Sequence, residues 1–265
     1  MPDKKNIIRI RNASVMLDCQ PILKDINWEL NEGENYFILG MNGAGKTTLV
    51  RLIMGLVWPV FGAEVSVLGN TFGRCNLTEV RKKISWVSPY LQQWTSNQWT
   101  ILQVVLSGFD GTIGLYEDHS ESDVEKAMKL LELLSCDSVA DHPYDKISTG
   151  QQTKALIARA LISNPELLIL DEPYGHLDMK SREFLMGTIE KIAEKPDAPS
   201  IVFITQRIEE ISPFLNKGMI MKDGRIFVNG EKKDVLGEEN LENAFDLKIK
   251  LHKTQTGRYW PVVHS

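Results

Sequence analysis

The first 90 residues contain short apolar stretches that are separated by turn-forming residues, such as those at 31–34. Short apolar runs bounded by turns predict β-strands. The predicted strands cover residues 7–11, 26–30, 36–39, 64–68 and 84–87, and the first of them is expected at the edge of its sheet. A glycine-rich segment over residues 40–48 interrupts the series, and Thr48 to Leu56 has the pattern of a helix.

Helical periodicity replaces the strand pattern after residue 89. Apolar residues recur three and four positions apart, which is the spacing of one helix face. They are Val124, Ala127, Met128, Leu131, Leu133 and Leu134. We therefore predict a mainly helical lobe over residues 90–162. From Glu166 the pattern is again strand, helix and strand, residues 218–228 predict a hairpin, and a short amphipathic helix is expected in the tail from Glu238.

The composition is that of a globular protein with an acidic balance. The chain has 265 residues, 43% hydrophobic and 25% charged, which is enough for one core with or without a smaller lobe. Its net charge of −5 argues against a nucleic-acid partner, because such binders usually carry a basic surplus. No apolar run approaches the ~20 residues that span a bilayer, and the N-terminus lacks the apolar core of a signal peptide. We therefore expect a cytoplasmic protein that reaches a membrane only through partners.

Residues 40–47 match the phosphate-loop pattern Gly-x4-Gly-Lys-Ser/Thr in full, between a predicted strand and a predicted helix. Glycines let successive backbone N–H groups point at phosphate oxygens, and the helix N-terminus adds its own N–H groups. Lys46 would bring a charge to the phosphates and assist catalysis, and the Thr47 hydroxyl would bind Mg²⁺. The predicted nucleotide-binding residues are Gly40, Met41, Asn42, Gly43, Ala44, Gly45, Lys46, Thr47 and Thr48. Alone, this motif predicts only the binding of a nucleoside triphosphate.

An apolar run over residues 167–170 ends in two carboxylates, Asp171 and Glu172. Burying a carboxylate without a partner is costly, so this pattern indicates a nearby cation. We predict that Asp171 holds Mg²⁺ through water. We predict that Glu172 is the catalytic base that accepts a proton from the water attacking the γ-phosphate.

A third motif, Ile-Ser-Thr-Gly-Gln-Gln over residues 147–152, precedes a predicted helix over 153–161. Its Ser148 lies 23 residues before Asp171. The motif resembles the Leu-Ser-Gly-Gly-Gln signature of ATP-binding-cassette (ABC) proteins, with differences at Ile147 and Thr149. A serine, a glycine and a helix N-terminus make a second anion site. In that family the signature binds the γ-phosphate held by the opposing subunit, which implies nucleotide contacts from Ser148, Gly150 and Gln151 and two ATP molecules between two cassettes.

The resemblance to ABC ATP-binding subunits covers residues 7–235. It implies an α/β P-loop NTPase fold with a mixed central sheet, an N-terminal antiparallel β subdomain and an inserted mainly helical subdomain. The core lobe is then residues 1–89 and 163–235, followed by a tail over 236–265. Residues 175–178 resemble the family's D-loop, in which Asp178 would contact the dimer interface and nucleotide. Stretches at 87–93, 107–116 and 258–260 are similar to the molybdate and iron-chelate transport branch.

Three further positions differ from the family pattern. Leu17 stands where an aromatic residue usually stacks on adenine, so we expect apolar contact with the base but weaker selectivity. The family's Mg²⁺-contacting glutamine aligns with Pro89; Gln92 or Gln93 could replace it in a longer loop, and Gln92 is the predicted metal ligand. Gln206 stands at the switch histidine, and because glutamine cannot carry a charge we predict slow hydrolysis.

The leading interpretation is an ATP-binding and ATP-hydrolysing subunit of an ABC transporter. It would pair with a second cassette, identical or different, and would lie on the cytoplasmic face of the cell membrane through integral permease subunits. Two alternatives stay open: a soluble ABC ATPase that does not transport, and an ATP-gated regulatory module with little turnover. A P-loop GTPase or small-molecule kinase is disfavoured, because the chain has no Asn-Lys-x-Asp guanine motif.

Overall fold

The computed structural model describes residues 5–88, 99–109, 119–175 and 177–264, and the chain divides into two units. Unit 1 comprises Met1–Val80 and Ser200–Ser265, and unit 2 comprises Arg81–Pro199. Residues 163–199 thus group with the helical segment, whereas the sequence analysis placed them in the core lobe; that lobe assignment stays a prediction.

The described strands follow the chain in this order: β1 Asn6–Leu17, β2 Gln20–Asn31, β3 Tyr36–Gly40, β4 Glu64–Val67, β5 Asn70–Thr71, β6 Ile84–Val87, β7 Leu167–Asp171, β8 Ser200–Thr205, β9 Lys217–Lys222, β10 Arg225–Glu231, β11 Lys248–Lys253 and β12 Tyr259–His264. The described α-helices are α1 Lys46–Ile53, α2 Leu77–Arg81, α3 Ile101–Leu106, α4 Glu121–Leu133, α5 Thr149–Ile162, α6 Met179–Ala193, α7 Lys232–Val235 and α8 Glu238–Phe245. Within the described ranges, no helix combines the length and apolar character needed to cross a bilayer.

Unit 1 begins with an antiparallel sheet in the order β2-β1-β4-β5. The expectation that the first strand is an edge strand was wrong, because β1 pairs with β2 on one side and with β4 on the other. Ile8, for example, faces both Leu30 and Val67 and is completely buried. The strand is also longer than predicted, because a two-residue turn with positive φ at Asp18 and Cys19 folds β2 back along its whole length.

Unit 1 also holds four strands of a mixed sheet, in the order β10-β9-β3-β8. Strand β3 is parallel to both β8 and β9, and all five of its residues are buried, as is usual for an inner parallel strand. The register pairs Leu39 with Thr205 and Gly40 with Met221, so these strands end at one edge of the sheet. The predicted hairpin is present as β9–β10, with Asp223 and Gly224 at positive φ in its turn.

Unit 2 combines the parallel pair β6–β7 with helices α3 to α6. Helices α3, α4 and α5 each begin with a capping box, at Thr100, Ser120 and Ser148 respectively. The predicted start of α5 at residue 153 was therefore four residues late, because the Ser148 cap satisfies the first helical turn. Helix α1 likewise begins earlier than predicted and ends at Ile53, close before Gly55 at φ +62°.

The C-terminal part of unit 1 contains the expected short helix, α8, and a hairpin that the sequence did not predict. Strands β11 and β12 pair antiparallel from Lys248 opposite His264 to Lys253 opposite Tyr259. Ile249 is buried on one face, whereas Lys250 and Trp260 are exposed on the other.

Candidate phosphate-binding site

Three glycines shape the backbone of the phosphate loop in unit 1. A Cβ at Gly40 would lie 2.6 Å from the Met221 carbonyl oxygen, which leaves no room for a side chain. Gly43 and Gly45 have φ of +81° and +98°, in the left-handed region that side chains disfavour. A Cβ at Gly45 would also lie 2.9 Å from Leu23 Cδ2. The loop therefore requires glycine at these places to curl tightly between β3 and α1.

The Lys46 side chain is buried and lies across the loop. Its Nζ donates hydrogen bonds to the carbonyl oxygens of Gly40, at 2.8 Å, and Met41, at 3.0 Å. Burying an ammonium group costs free energy unless it is hydrogen-bonded, and these two carbonyl oxygens offset part of that cost. They also hold the charge at the start of the loop, where it would attract an anion.

Helix α1 continues directly from the loop. Thr47 is exposed at its first turn, Thr48 is buried, and the first turn contains no acidic residue that would repel an anion. Because the first backbone N–H groups of a helix lack intrahelical acceptors, the end of α1 adds donors to those of the loop. The arrangement is able to bind a polyphosphate.

Gln206 follows β8 at the carboxyl end of the parallel strands, where β3 leads into the phosphate loop. The register places Thr205 opposite Leu39, so Gln206 directly follows β8 at the end where Gly40 closes the neighbouring parallel strand β3. Gln206 is exposed. Ligands of open α/β sheets bind outside the carboxyl ends of the strands, which is the position of both residues.

Leu17 ends β1 and faces Gln20 across the turn. Its side chain is half-buried, whereas Met16 beside it is exposed. Both are flexible apolar groups in unit 1, and neither offers an aromatic face for stacking on a base.

Unit 2 carries the acidic pair at the end of β7. Asp171 is 4% exposed and is the last residue of a fully buried strand. Glu172 is half-buried and has φ of +50°, and its carbonyl oxygen accepts a hydrogen bond from Gly175 N at 3.2 Å. A non-glycine residue in this conformation carries strain of roughly 1–2 kcal/mol, and such strain is concentrated at functional sites. No sequence signal indicated this conformation.

The signature residues form the N-terminus of α5. Ser148 Oγ accepts a hydrogen bond from Gln151 N at 3.3 Å, and Gln151 Oε1 accepts one from Ser148 N at 3.0 Å. This capping box leaves Ser148 exposed at the helix end. A Cβ at Gly150 would reach Leu177 Cδ2 at 3.5 Å, an ordinary contact, so packing within unit 2 does not require glycine here.

Asp178 has a local structural use. Its carboxylate caps α6 by accepting hydrogen bonds from Ser181 N at 2.8 Å and Ser181 Oγ at 3.0 Å. The backbone and side-chain hydrogen bonds from Ser181 hold the pKa of Asp178 below its usual range. Direct binding of nucleotide by Asp178 thus stays a prediction beside this capping role.

The predicted site residues divide between the two units. The phosphate loop, Leu17 and Gln206 belong to unit 1, whereas Ser148, Asp171, Glu172 and Asp178 belong to unit 2. The predicted metal ligand Gln92 lies outside the described residues, as do Pro89 and Gln93.

An exposed apolar segment over residues 56–61, which we name the apolar loop, was not predicted from the sequence. Its exposed members are Leu56, Trp58, Val60 and Phe61. The available signal was a nearly uninterrupted apolar run immediately after a predicted helix, where a polar loop would be expected.

Comparison with known proteins places the chain in a family. The family model described as ABC transporter matches residues 23–175. The uncharacterized ABC transporter ATP-binding protein YlmA of Bacillus subtilis (strain 168) is 43% identical over 244 residues, which is 92% of this chain and 92% of that protein.

Solved structures share the fold. A metal-chelate type ABC transporter in an inward-facing conformation has a TM-score of 0.78 at 23% identity, over 98% of both chains. A dimeric ATP-binding cassette in a post-hydrolysis state, bound to ADP and Pi, has a TM-score of 0.74 at 27% identity, over 85% of this chain and 98% of that chain. The predicted P-loop NTPase fold with its helical insert is confirmed. The chain therefore belongs to the ABC transporter family as an ATP-binding cassette, and it is an ATPase.

Proposed function

We propose that two cassettes close around two Mg-ATP molecules, hydrolyse them, and thereby drive a solute through integral membrane permease subunits. The second cassette is either another copy of this chain or a related chain. The chain belongs to a family of transporters, so we expect it to bind permease subunits. Binding to them would hold the cassette peripherally on the cytoplasmic face of the membrane.

One observation carries the proposal: the described part of the chain contains two separate helix N-termini suited to bind phosphate. Helix α1 follows the glycine loop with the buried charge of Lys46, and α5 begins at the Ser148 cap. A single bound triphosphate needs only the first. The second is explained if it faces the nucleotide of an opposing cassette, which would make each site a composite of two subunits.

The oxygen donors available fit a magnesium ion. Mg²⁺ prefers hard oxygen ligands and usually takes one or two protein ligands together with phosphate oxygens. The exposed hydroxyl of Thr47 and the buried carboxylate of Asp171 are such donors, and Gln92 is a further candidate. When bound, the ion neutralises charge on the phosphates.

Glu172 and Gln206 have distinct roles in this proposal. The Glu172 carboxylate accepts the proton of the attacking water, and the left-handed backbone at Glu172 is the local strain expected of a functional position. Gln206 hydrogen-bonds the γ-phosphate from the edge of the sheet in unit 1. It stabilises the developing charge less than a charged donor would, because charge-assisted hydrogen bonds are about twice as strong as neutral ones.

Replacing Gln206 with histidine should therefore raise the rate of ATP turnover. We expect kcat of Gln206→His to increase by roughly tenfold or more, since general acid–base groups contribute about 10²–10⁴-fold in rate. Phosphate release under saturating Mg-ATP measures the effect. Gln255→His, at an exposed position of the C-terminal turn, is the control and should leave kcat unchanged. An unchanged kcat for Gln206→His would contradict the assigned role.

The apolar loop is the best candidate for the permease contact. Trp58 is anchored by an edge-on contact with Phe72, with ring centroids 6.3 Å apart, and Val60 N donates to Ser14 O at 2.7 Å. These contacts hold the segment in place while Phe61 is left fully exposed. Clustered, ordered, exposed apolar side chains mark protein interaction sites, and in a transporter subunit the fitting occupant is an apolar helix of the permease.

Affinity isolation from mild detergent tests both the transport function and this contact. Wild-type protein should recover integral membrane proteins, and the double variant Leu56→Ser/Phe61→Ser should lose most of them. Phe227→Ser, which changes an exposed phenylalanine on β10, should retain them. Recovery of ribosomes without membrane proteins would overturn the transport proposal in favour of a soluble ABC ATPase. Equal recovery of membrane proteins by the double variant would reject only the assigned surface.

A further inference from the structure

The C-terminal hairpin β11–β12 packs against the short turn of 3-10 helix over Ile208–Glu210, which begins two residues after Gln206. Both belong to unit 1. We propose that this hairpin positions Gln206 for catalysis, and that Arg258 is the positioning residue. This inference rests on the proposed role of Gln206. It adds that the position of the Gln206 side chain depends on the C-terminal hairpin, which is distant in sequence.

The link is a pair of hydrogen bonds from one side chain to one backbone group. Arg258 donates from Nε, at 3.2 Å, and from Nη2, at 2.9 Å, to the carbonyl oxygen of Glu209. Two donors of a planar guanidinium group fix direction as well as distance, and hydrogen bonds from a charged donor are the stronger kind. A carbonyl held in this way restrains the turn that carries it.

The turn is tied to the end of β8 from its other side. The buried Glu210 carboxylate accepts a hydrogen bond from Thr205 Oγ1, and the same Oγ1 accepts one from Arg207 N at 2.9 Å. Gln206 is therefore bracketed by a hydrogen bond between its two neighbours. With Glu210 bound to Thr205 and Glu209 held by Arg258, displacement of the 3-10 turn would move the Gln206 backbone.

Arg258 is itself held by a closed turn. Thr254 N donates to Arg258 O at 2.8 Å, and Arg258 N donates to Thr254 Oγ1 at 3.1 Å. Gly257 lies between them at φ +81°, a conformation that glycine adopts without strain. The guanidinium group also lies 5.9 Å from the centre of the Trp260 ring. The donor is thus preorganised, which suits a role in positioning.

Steady-state ATP hydrolysis by the full-length chain tests the proposal. Arg258→Ala should lower kcat by roughly tenfold, with KM for ATP within about twofold of wild type, because misplacing a catalytic group by about 1 Å can cost up to 10²-fold in rate. Arg258→Lys keeps a charged donor and should show an intermediate kcat. Lys250→Ala, which removes an equal charge from the exposed face of the hairpin, should match wild type.

A double-mutant cycle separates positioning from general destabilisation. In a Gln206→Ala background, Arg258→Ala should change kcat by less than about twofold, since coupled residues are not additive. Three results would each overturn the role of Arg258: an unchanged kcat in the single variant, an equal loss of kcat in both backgrounds, or an effect on KM alone.

If wild-type protein forms the ATP-dependent dimer and hydrolyses ATP while Arg258→Ala matches it, only this inference fails. If wild type itself does not turn over, the proposed function falls and this inference with it.

Discussion

Glu172→Gln is expected to reduce ATP turnover by roughly 10²-fold or more while ATP binding is retained. Glutamine has the same shape but cannot accept a proton from the attacking water. Because the two side chains are of nearly equal size, the substitution should leave the end of β7 and the left-handed backbone at this position undisturbed. With hydrolysis blocked, the closed complex should accumulate, so the variant should become dimeric when saturated with Mg-ATP.

Phosphate release measures the turnover of Glu172→Gln, and light scattering with and without Mg-ATP measures its mass. Glu194→Gln, at the exposed C-terminal cap of α6, makes the same chemical change away from the site and should behave as wild type in both assays. A Glu172→Gln variant that keeps its turnover would show that another group is the base. A variant that stays monomeric at high protein and Mg-ATP concentration would contradict a composite site formed by two copies of this chain.

Lys46→Ala should weaken ATP binding by about 10²-fold and abolish turnover at moderate ATP concentration. A hydrogen bond to a charged group contributes about 1.5–3 kcal/mol, or roughly 10- to 150-fold in affinity. Lys46 is buried and already fixed over the loop by the carbonyls of Gly40 and Met41, so its charge is placed for the phosphates. Binding of a fluorescent ATP analogue measures the loss, and Lys191→Ala on the exposed face of α6 is the control.

Mixing two inactive variants tests whether the site is shared between copies of the chain. Ser148→Arg should keep its own phosphate loop but block the signature end of α5, and should be inactive as a homodimer. In a mixture with Lys46→Ala, some dimers combine an intact phosphate loop from one subunit with an intact Ser148 from the other. Partial recovery of turnover is expected on mixing. Absence of recovery, with both variants folded, would argue that this chain does not pair with itself.

The family and the chemical motifs could be read from the sequence because each is local. The phosphate loop, the acidic pair at the end of β7 and the serine cap of α5 depend on residue types at short, fixed spacing, and their local elements follow from glycine conformation, strand burial and helix capping. The hairpin turn at Asp223 and Gly224 was predictable for the same reason. The missed start of α5 is a local error, since the capping box was visible in Ser148 and Gln151.

Only the tertiary structure decided the features that depend on distant pairing. Strand β1 is central because β4 adds to its free side, the C-terminal strands form because they pair with each other, and Arg258 meets Glu209 across a sequence separation of 49. Glu172 adopts positive φ only because the surrounding fold holds it there. Sequence patterns encode which residues are buried and which turns are favourable, whereas partners far apart in the chain are chosen by the global packing that brings them together.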